Sequence, residues 1–371
     1  MANRSTYSNK ITGEGTLTIY CVTEKGTNYY ATRTPVQCNF TDFSGTIKPT
    51  SSLDDPALLR FTLNTAGGCP NGTFDIASGV EVQNSGKTFT IGKVTGSGNL
   101  GGSCTFSNGS SVGANTWRVG NDENFTFDGK VTSNALFQKI GTGKMTVKGV
   151  WSTTGNVAVK EGELGISSSA SLGTGSLTVD QGAVLSGVTT SSGTLKNSAY
   201  TINGTLQVGS NKTSTSGVMN VDNKNVVFNA NSTYVVGAVR CASSVNNGCT
   251  SLRGINRLTM NGTIKVFLSN SHSLAEGDSI RIFEATSFAG SPKFDLPVIG
   301  SGLSWDTSRI SEGLLFVVVD LGIEGLFNND QDGQPVDVYN AKGQLVRKNA
   351  SSLQGLPRGI YFVRGRKIVV K

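Results

Sequence analysis

Apolar residues recur along this chain in pairs separated by one small or polar residue. Over residues 115–188 the pairs are Phe125/Phe127, Met145/Val147, Val157/Val159, Leu164/Ile166 and Leu177/Val179. A spacing of two puts both members on one face of a strand. Gly, Asn, Thr or Ser separates almost every pair, so the strands are short and each break is a turn. No window carries apolar residues at helical spacing. Strands this short cannot each build a core. A coiling chain can, because each turn stacks on the one before and buries a shared apolar column. The pattern predicts an all-β solenoid.

The pattern extends in both directions. ITGEGTLTIY at residues 11–20 reads as a coil, whereas residues 21–56 are less regular and read as a loop or hairpin excursion. From Leu58 the alternation returns, with Phe74/Ile76, Val80/Val82 and Phe89/Ile91 pointing one way. It continues from Gly193 to Phe267, interrupted at residues 238–254 by a segment read as a surface loop. One parallel β-helix is expected across residues 1–319, continuous from about residue 10.

Four strings then carry a more specific signal: VGNDENFTFDGKV from Val119, KIGTGKMTVKG from Lys139, TTGNVAVKEGELGI from Thr153 and SLGTGSLTV from Ser171. In this order they resemble the autotransporter-associated β-strand repeat. The resemblance implies a right-handed parallel β-helix in the exported, surface-displayed part of a bacterial protein. Residues 277–319 resemble the end piece of autotransporter passenger domains, with Asp278, Leu296, Pro297, Gly302, Leu303, Trp305, Asp306, Thr307 and Ser308 at matching positions. An open solenoid end exposes unpaired strand edges, so this piece is expected to act as a cap, with Trp305 over the last apolar rung.

Residues 320–335, DLGIEGLFNNDQDGQP, read as a linker. Residues 336–371 resemble the C-terminal sorting domain of the type IX secretion system in Bacteroidetes. The resemblance rests on Val336, Val338 and Tyr339, the Lys342-Gly343 turn, Leu345 to Arg347, the run Leu356 to Val363 with Gly359, Ile360 and Tyr361, and the closing strand from Lys367. It implies a small β-sandwich-like unit that serves as an export signal. It also implies the secretion and attachment machinery as partner, and a location on the outside of the cell.

Composition agrees with an exported solenoid. Gly numbers 48 and charged residues make up only 15%. The Gly alternates with apolar pairs instead of forming low-complexity tracts, so it reads as turns. The formal charge is +7, yet residues 342–371 hold eight cations and no acid, which leaves the rest of the chain near −1. The basic balance belongs to the tail, and with no reader motif it argues against a nucleic-acid partner. No apolar run reaches the length of a transmembrane helix. The first fifteen residues lack an apolar segment, so a signal peptide for export is expected to lie outside this sequence.

Candidate chemistry is sparse. The cysteine spacings Cys21–Cys38, Cys69–Cys104 and Cys241–Cys249 are not those of zinc sites, and three disulfides in that order are expected. His272 has no second histidine and no nucleophile elbow to serve, so neither a metal site nor a catalytic role is expected. Acids are scattered at Asp54-Asp55, Asp122-Glu123, Glu161 with Glu163, and Asp278; Glu161 and Glu163 read as a solvated face. Asn328, Asp330, Asp332 and Gly333 resemble the front of a calcium loop, but Tyr339 stands where its bidentate Glu belongs, and a polar linker is the preferred account. Tyr29, Tyr30, Trp117 and Trp151 are a candidate sugar-binding platform, with the two Trp equally suited to covering coil edges. The expectation is a secreted, surface-attached solenoid with a structural or adhesive role, no catalytic residue, no cofactor, and glycans or surface proteins of a host or plant as partners. The alternative is a carbohydrate-binding or polysaccharide-lyase-like β-helix.

Overall fold

The computed structural model describes residues 9–21, 37–51, 59–63, 67–84, 86–103, 113–190, 193–209, 216–238, 249–268, 274–300, 302–319, 336–350, 352–363 and 366–370. Twelve parallel strands stack in one long sheet, from Thr16–Cys21 to Phe283–Ala289. A second face holds eight parallel strands, from Phe125–Phe127 to Lys293–Asp295. A third carries Leu59–Leu63, Val80–Asn84, Asn99–Ser103 and Lys130–Val131, and a further parallel pair forms between Val150–Trp151 and Ser171–Leu172. One coil of the repeat thus reads Leu136–Lys139, Lys144–Val147, Val150–Trp151, and the next reads Val157–Val159, Glu163–Ile166, Ser171–Leu172. Coils here are 20 residues long, as the bond from Ser176 N to Asn156 Oδ1 shows. This is a parallel β-helix, and the described residues contain no α-helix.

The apolar pairs point inward, as their spacing predicts. All five pairs of the repeat are buried, and so are Phe74/Ile76, Val80/Val82 and Phe89/Ile91. In-register stacking joins them into columns. Phe89, Trp117, Phe137, Val157, Leu177, Tyr200, Val226 and Leu258 succeed one another on the long sheet. Phe125, Met145, Leu164, Leu185, Leu206, Tyr234 and Ile264 do so on the second face. Strands about 4.8 Å apart leave no room for water between such side chains, so successive rungs share one dry interior.

Three expectations are corrected. Part of the predicted excursion at residues 21–56 is a regular rung: Thr46–Ser51 pairs with strands on both sides, and Phe40, Phe43 and Ile47 are buried. Its alternation is masked because Pro49 occupies the inward position after Ile47. Residues 22–36 and 52–58 lie outside the described residues. Second, the solenoid does not remain parallel to residue 319. Leu314–Val319 runs antiparallel to Ser279–Arg281 and Leu303–Asp306, and this three-stranded sheet forms the cap. Antiparallel pairing needs only short returns, so it can close over an end that another parallel coil would merely extend. Trp305 is half-buried there, donates from Nε1 to the Pro297 carbonyl at 2.9 Å, and packs on the solenoid core.

The tail also differs from the expected unit. It is not a sandwich but one four-stranded antiparallel sheet, in the order Leu345–Ala350, Val336–Asn340, Gly359–Val363, Arg366–Val370. All four described strands pair into this one sheet, and residues 352–358 cover one face of it. Arg347 Nη1 donates to the carbonyls of Ser352 and Gln354 at 3.0 and 2.9 Å, and the Tyr361 hydroxyl donates to Pro357 at 2.8 Å. Beneath this cover Val336, Val338, Ala350, Leu353, Tyr361, Val363 and Ile368 form a core distinct from the solenoid's. Residues 320–335 lie outside the described residues.

Turns follow two chemistries. Several strands bend around a corner instead of breaking, as in Gly217–Phe228, where Asp222 and Asn223 adopt φ of 50° and 57° and the pairing register shifts. Asp and Asn tolerate this left-handed conformation better than other non-glycine residues. At Gly120 (φ 138°) an added Cβ would lie 1.8 Å from the Ile140 carbonyl oxygen of the next coil, so only glycine fits.

Candidate functional site

The four aromatic residues of the candidate platform do not form one. Trp117 and Trp151 are buried inside the coils. Trp117 donates from Nε1 to the Gly101 carbonyl at 2.8 Å and meets Phe89 edge-on, with ring centroids 6.1 Å apart. Trp151 meets Phe137 at 4.7 Å. Both sit at inward positions of their strands, where burial of a large apolar ring outweighs any use at the surface. Tyr29 and Tyr30 lie outside the described residues.

The acids serve coil stacking. Lys93 pairs with Glu123 at 2.7 Å, Lys144 with Glu163 at 2.6 Å, Lys148 with Asp128 at 3.5 Å, and Lys160 with Asp180 at 2.9 Å. Lys10–Asp42, Lys48–Asp75, Arg253–Glu284 and Lys265–Asp295 follow the same plan, each joining one coil to the next. The strand spacing sets opposite charges side by side at each step. Exposed pairs of this kind contribute only about 0–1 kcal/mol apiece, so they discriminate register more than they stabilise. The reading of Glu161 and Glu163 as a solvated face is corrected in part. Glu163 is half-buried and also accepts from Ser186 Oγ, while Glu161 is exposed and accepts from the Gly141 amide at 3.1 Å. Asp278 is buried in the cap and accepts from Ala275 N at 2.7 Å. Among the described residues no group of three or more His, Cys, Asp or Glu is gathered. Asp54, Asp55, His272 and the Asn328–Gly333 segment lie outside them.

The disulfide expectation finds no support. Cys38, Cys69 and Cys249 are buried and no disulfide is found among them; Cys104, Cys241 and the side chain of Cys21 lie outside the described residues. The Cys69 thiol donates to the Phe43 carbonyl at 3.5 Å, and burial pushes its pKa up to about 11.

The residue that strand patterning overlooked is Lys139. It belongs to the repeat string KIGTGKM, yet it stands in an inward column between Val119 and Val159 and is fully buried. Its ammonium donates to the carbonyls of Ile140, Gly141 and Glu161 at 2.7, 2.8 and 3.3 Å, clamping two successive corners. The alternation Phe137-x-Lys139 was the available signal: a lysine in an apolar phase. Burial lowers its pKa to about 8, against the opposing pull of Glu161 and Glu163. The folded value lies below the unfolded 10.5, so the unfolded state binds more protons between these limits. Stability therefore rises as pH climbs from about 8 towards 10.5. In Lys139→Met this rise is expected to vanish, while the Met side chain fills the column. Chemical denaturation of both proteins at pH 7, 8.5 and 10 checks this, and parallel pH profiles would refute it.

The tail supplies the remaining candidate residues, which the sheet sorts into two sets. Val338 and Tyr361 are buried, whereas Tyr339, Ile360 and Lys367 alternate to the other side and are exposed. Gly343 (φ 75°) closes the turn whose amides, Lys342 N and Gln344 N, donate to Asn340 Oδ1 at 3.0 Å each. Gly359 opens the strand that carries Ile360 and Tyr361. Neither a family model nor a curated protein matches this chain.

Proposed function

We propose that this chain is a structural or adhesive β-solenoid, displayed outside the cell and exported by way of its C-terminal sheet. The observation that carries the first half is the disposition of polar groups on the solenoid. Eight ion pairs among its described residues join one coil to the next, and Trp117 and Trp151 are spent on the core. Twelve rungs at about 4.8 Å give a rod on the order of 50 Å long, suited to holding a surface away from its anchor. The second half is supported by the tail's separate core and by its charge, which the body does not share. No helix among the described residues is long and apolar enough to cross a membrane.

The test is removal of residues 336–371 in a host with type IX secretion. Surface display is expected to be lost. Undiminished display of the truncated chain would end the sorting reading and leave the solenoid as a rod with another route outward.

A further inference from the structure

The tail sheet is apolar on both faces, and only one is covered. Residues paired across strands share a face. Leu345, Tyr339, Phe362 and Lys367 stand opposite one another in a row across all four strands. Ile360 and Val369 form the next row beside it. These side chains alternate with the buried Val338, Tyr361, Val363 and Ile368, so they occupy the face that residues 352–358 do not cover. Leu345 is 47%, Val369 56%, Ile360 39% and Tyr339 38% exposed. Of ten large apolar side chains exposed in the described chain, five belong to this 36-residue unit. The other five are spread over the solenoid and its cap, at Tyr20, Val150, Val298 and the adjacent Val318 and Val319, as scattered surface residues are on any protein. A contiguous apolar face marks a contact surface instead.

Charge selects the occupant. The unit holds eight cations and one acid, Asp337, whose Oδ1 already accepts the Asn349 amide at 3.0 Å. Lys367 lies within the apolar row itself and pairs with no carboxylate among the described residues. Two copies of such a face would bring like charges together, which opposes self-association. We propose that the sheet face formed by Leu345, Tyr339, Phe362, Lys367, Ile360 and Val369 is the docking surface of the tail. Its partner is a protein of the export machinery that presents an apolar patch bordered by carboxylates. This rests on the sorting function proposed above and locates it on one side of the sheet. The apolar rows supply the affinity, and the cations steer approach and fix orientation.

The test uses the full chain in a type IX-competent host. Ile360→Thr and Val369→Thr are combined in one variant, because Thr keeps the β-branched shape and leaves the buried face intact. Lys367→Glu is a second, made alone. Both are expected to keep the melting behaviour of the purified chain and the exchange protection of the Val338 and Tyr361 amides, while surface display falls at least ten-fold. The chain lacking 336–371 is run beside them. If that deletion is displayed normally, the sorting function itself fails. If the deletion abolishes display while both folded variants are displayed at wild-type levels, the sorting function stands and this face is overturned as its docking surface. If the purified wild-type chain dimerises and the Thr variant does not, a second copy occupies the face and the proposed partner is wrong. Should the Thr variant lose amide protection, Lys367→Glu, which alters only an exposed side chain, decides the matter alone.

Discussion

Truncating Trp117 to alanine is expected to lower the stability of the solenoid by about 3–5 kcal/mol. The side chain is fully buried in the longest apolar column, between Phe89 of the preceding coil and Phe137 of the following one. Three losses coincide there. The transfer energy of the largest side chain disappears, a cavity opens in a close-packed interior, and the edge-on contact with Phe89 is broken. The Gly101 carbonyl also loses its indole donor, but it retains Asn115 Nδ2 at 3.2 Å, so it is not orphaned. A rung cannot collapse to fill the gap, because its backbone is held at fixed spacing by ladders on both sides. Trp117→Phe, which restores most of the ring, should cost less than half as much. Arg118→Ala, one position along and facing solvent, should change stability by no more than about 0.5 kcal/mol. Denaturant midpoints of the three variants measure the contrast. Equal effects at 117 and 118 would mean that the strand does not alternate as described.

Removing residues 336–371 should have the opposite signature, with a large effect on destination and almost none on the fold of the body. The solenoid core and the tail core share no residue. The terminal rung is covered by the cap, where Trp305 bonds the Pro297 carbonyl and Phe283 stacks on Phe288 at 5.7 Å. A solenoid whose last coil is capped gains nothing from chain beyond it, since each repeat interacts only with its neighbours. The melting temperature of the body should therefore stay within about 1–2 °C of the full chain, which corresponds to about 1 kcal/mol for a domain this large. Differential scanning calorimetry reads this directly. A truncated chain that melts far lower would place the tail within the fold of the body and move the boundary upstream.

Lys139 bears on a different property of the coil. Replacing a buried charge by an apolar group of similar length is often neutral in stability, because the charge has been costly to desolvate. Its value to the coil lies in joining two corners through three carbonyls, a task that no apolar side chain performs. A Met variant that folds but exchanges its corner amides faster would show that division of labour.

The period-two pairs determined more of this molecule than any other feature. Phe125/Phe127 or Val157/Val159 can only be strand faces, and the turn residues between them exclude long strands, so stacking coils were already implied. The expectation of an end piece around Trp305 came from a resemblance, whereas its antiparallel return was decided only in the folded chain. Which face each strand joins was decided in three dimensions. Val80/Val82 and Phe89/Ile91 look alike in sequence yet lie on the third and the long face, because that assignment depends on how far the chain travels between corners. Burial of Trp117 and Trp151 was likewise decided by packing: an aromatic ring suits a sugar or a core equally until its strand phase is known. The pairing of Lys144 with Glu163, nineteen positions apart, exists only because one coil returns above the last. The tail's exposed apolar face is a property of four strands paired side by side, for a run such as Ile360 to Val363 does not by itself show which of its apolar side chains is covered. Alternation is local and therefore written in the chain. Stacking, register and the sharing of faces are contacts between distant residues, and only the folded coil brings those together.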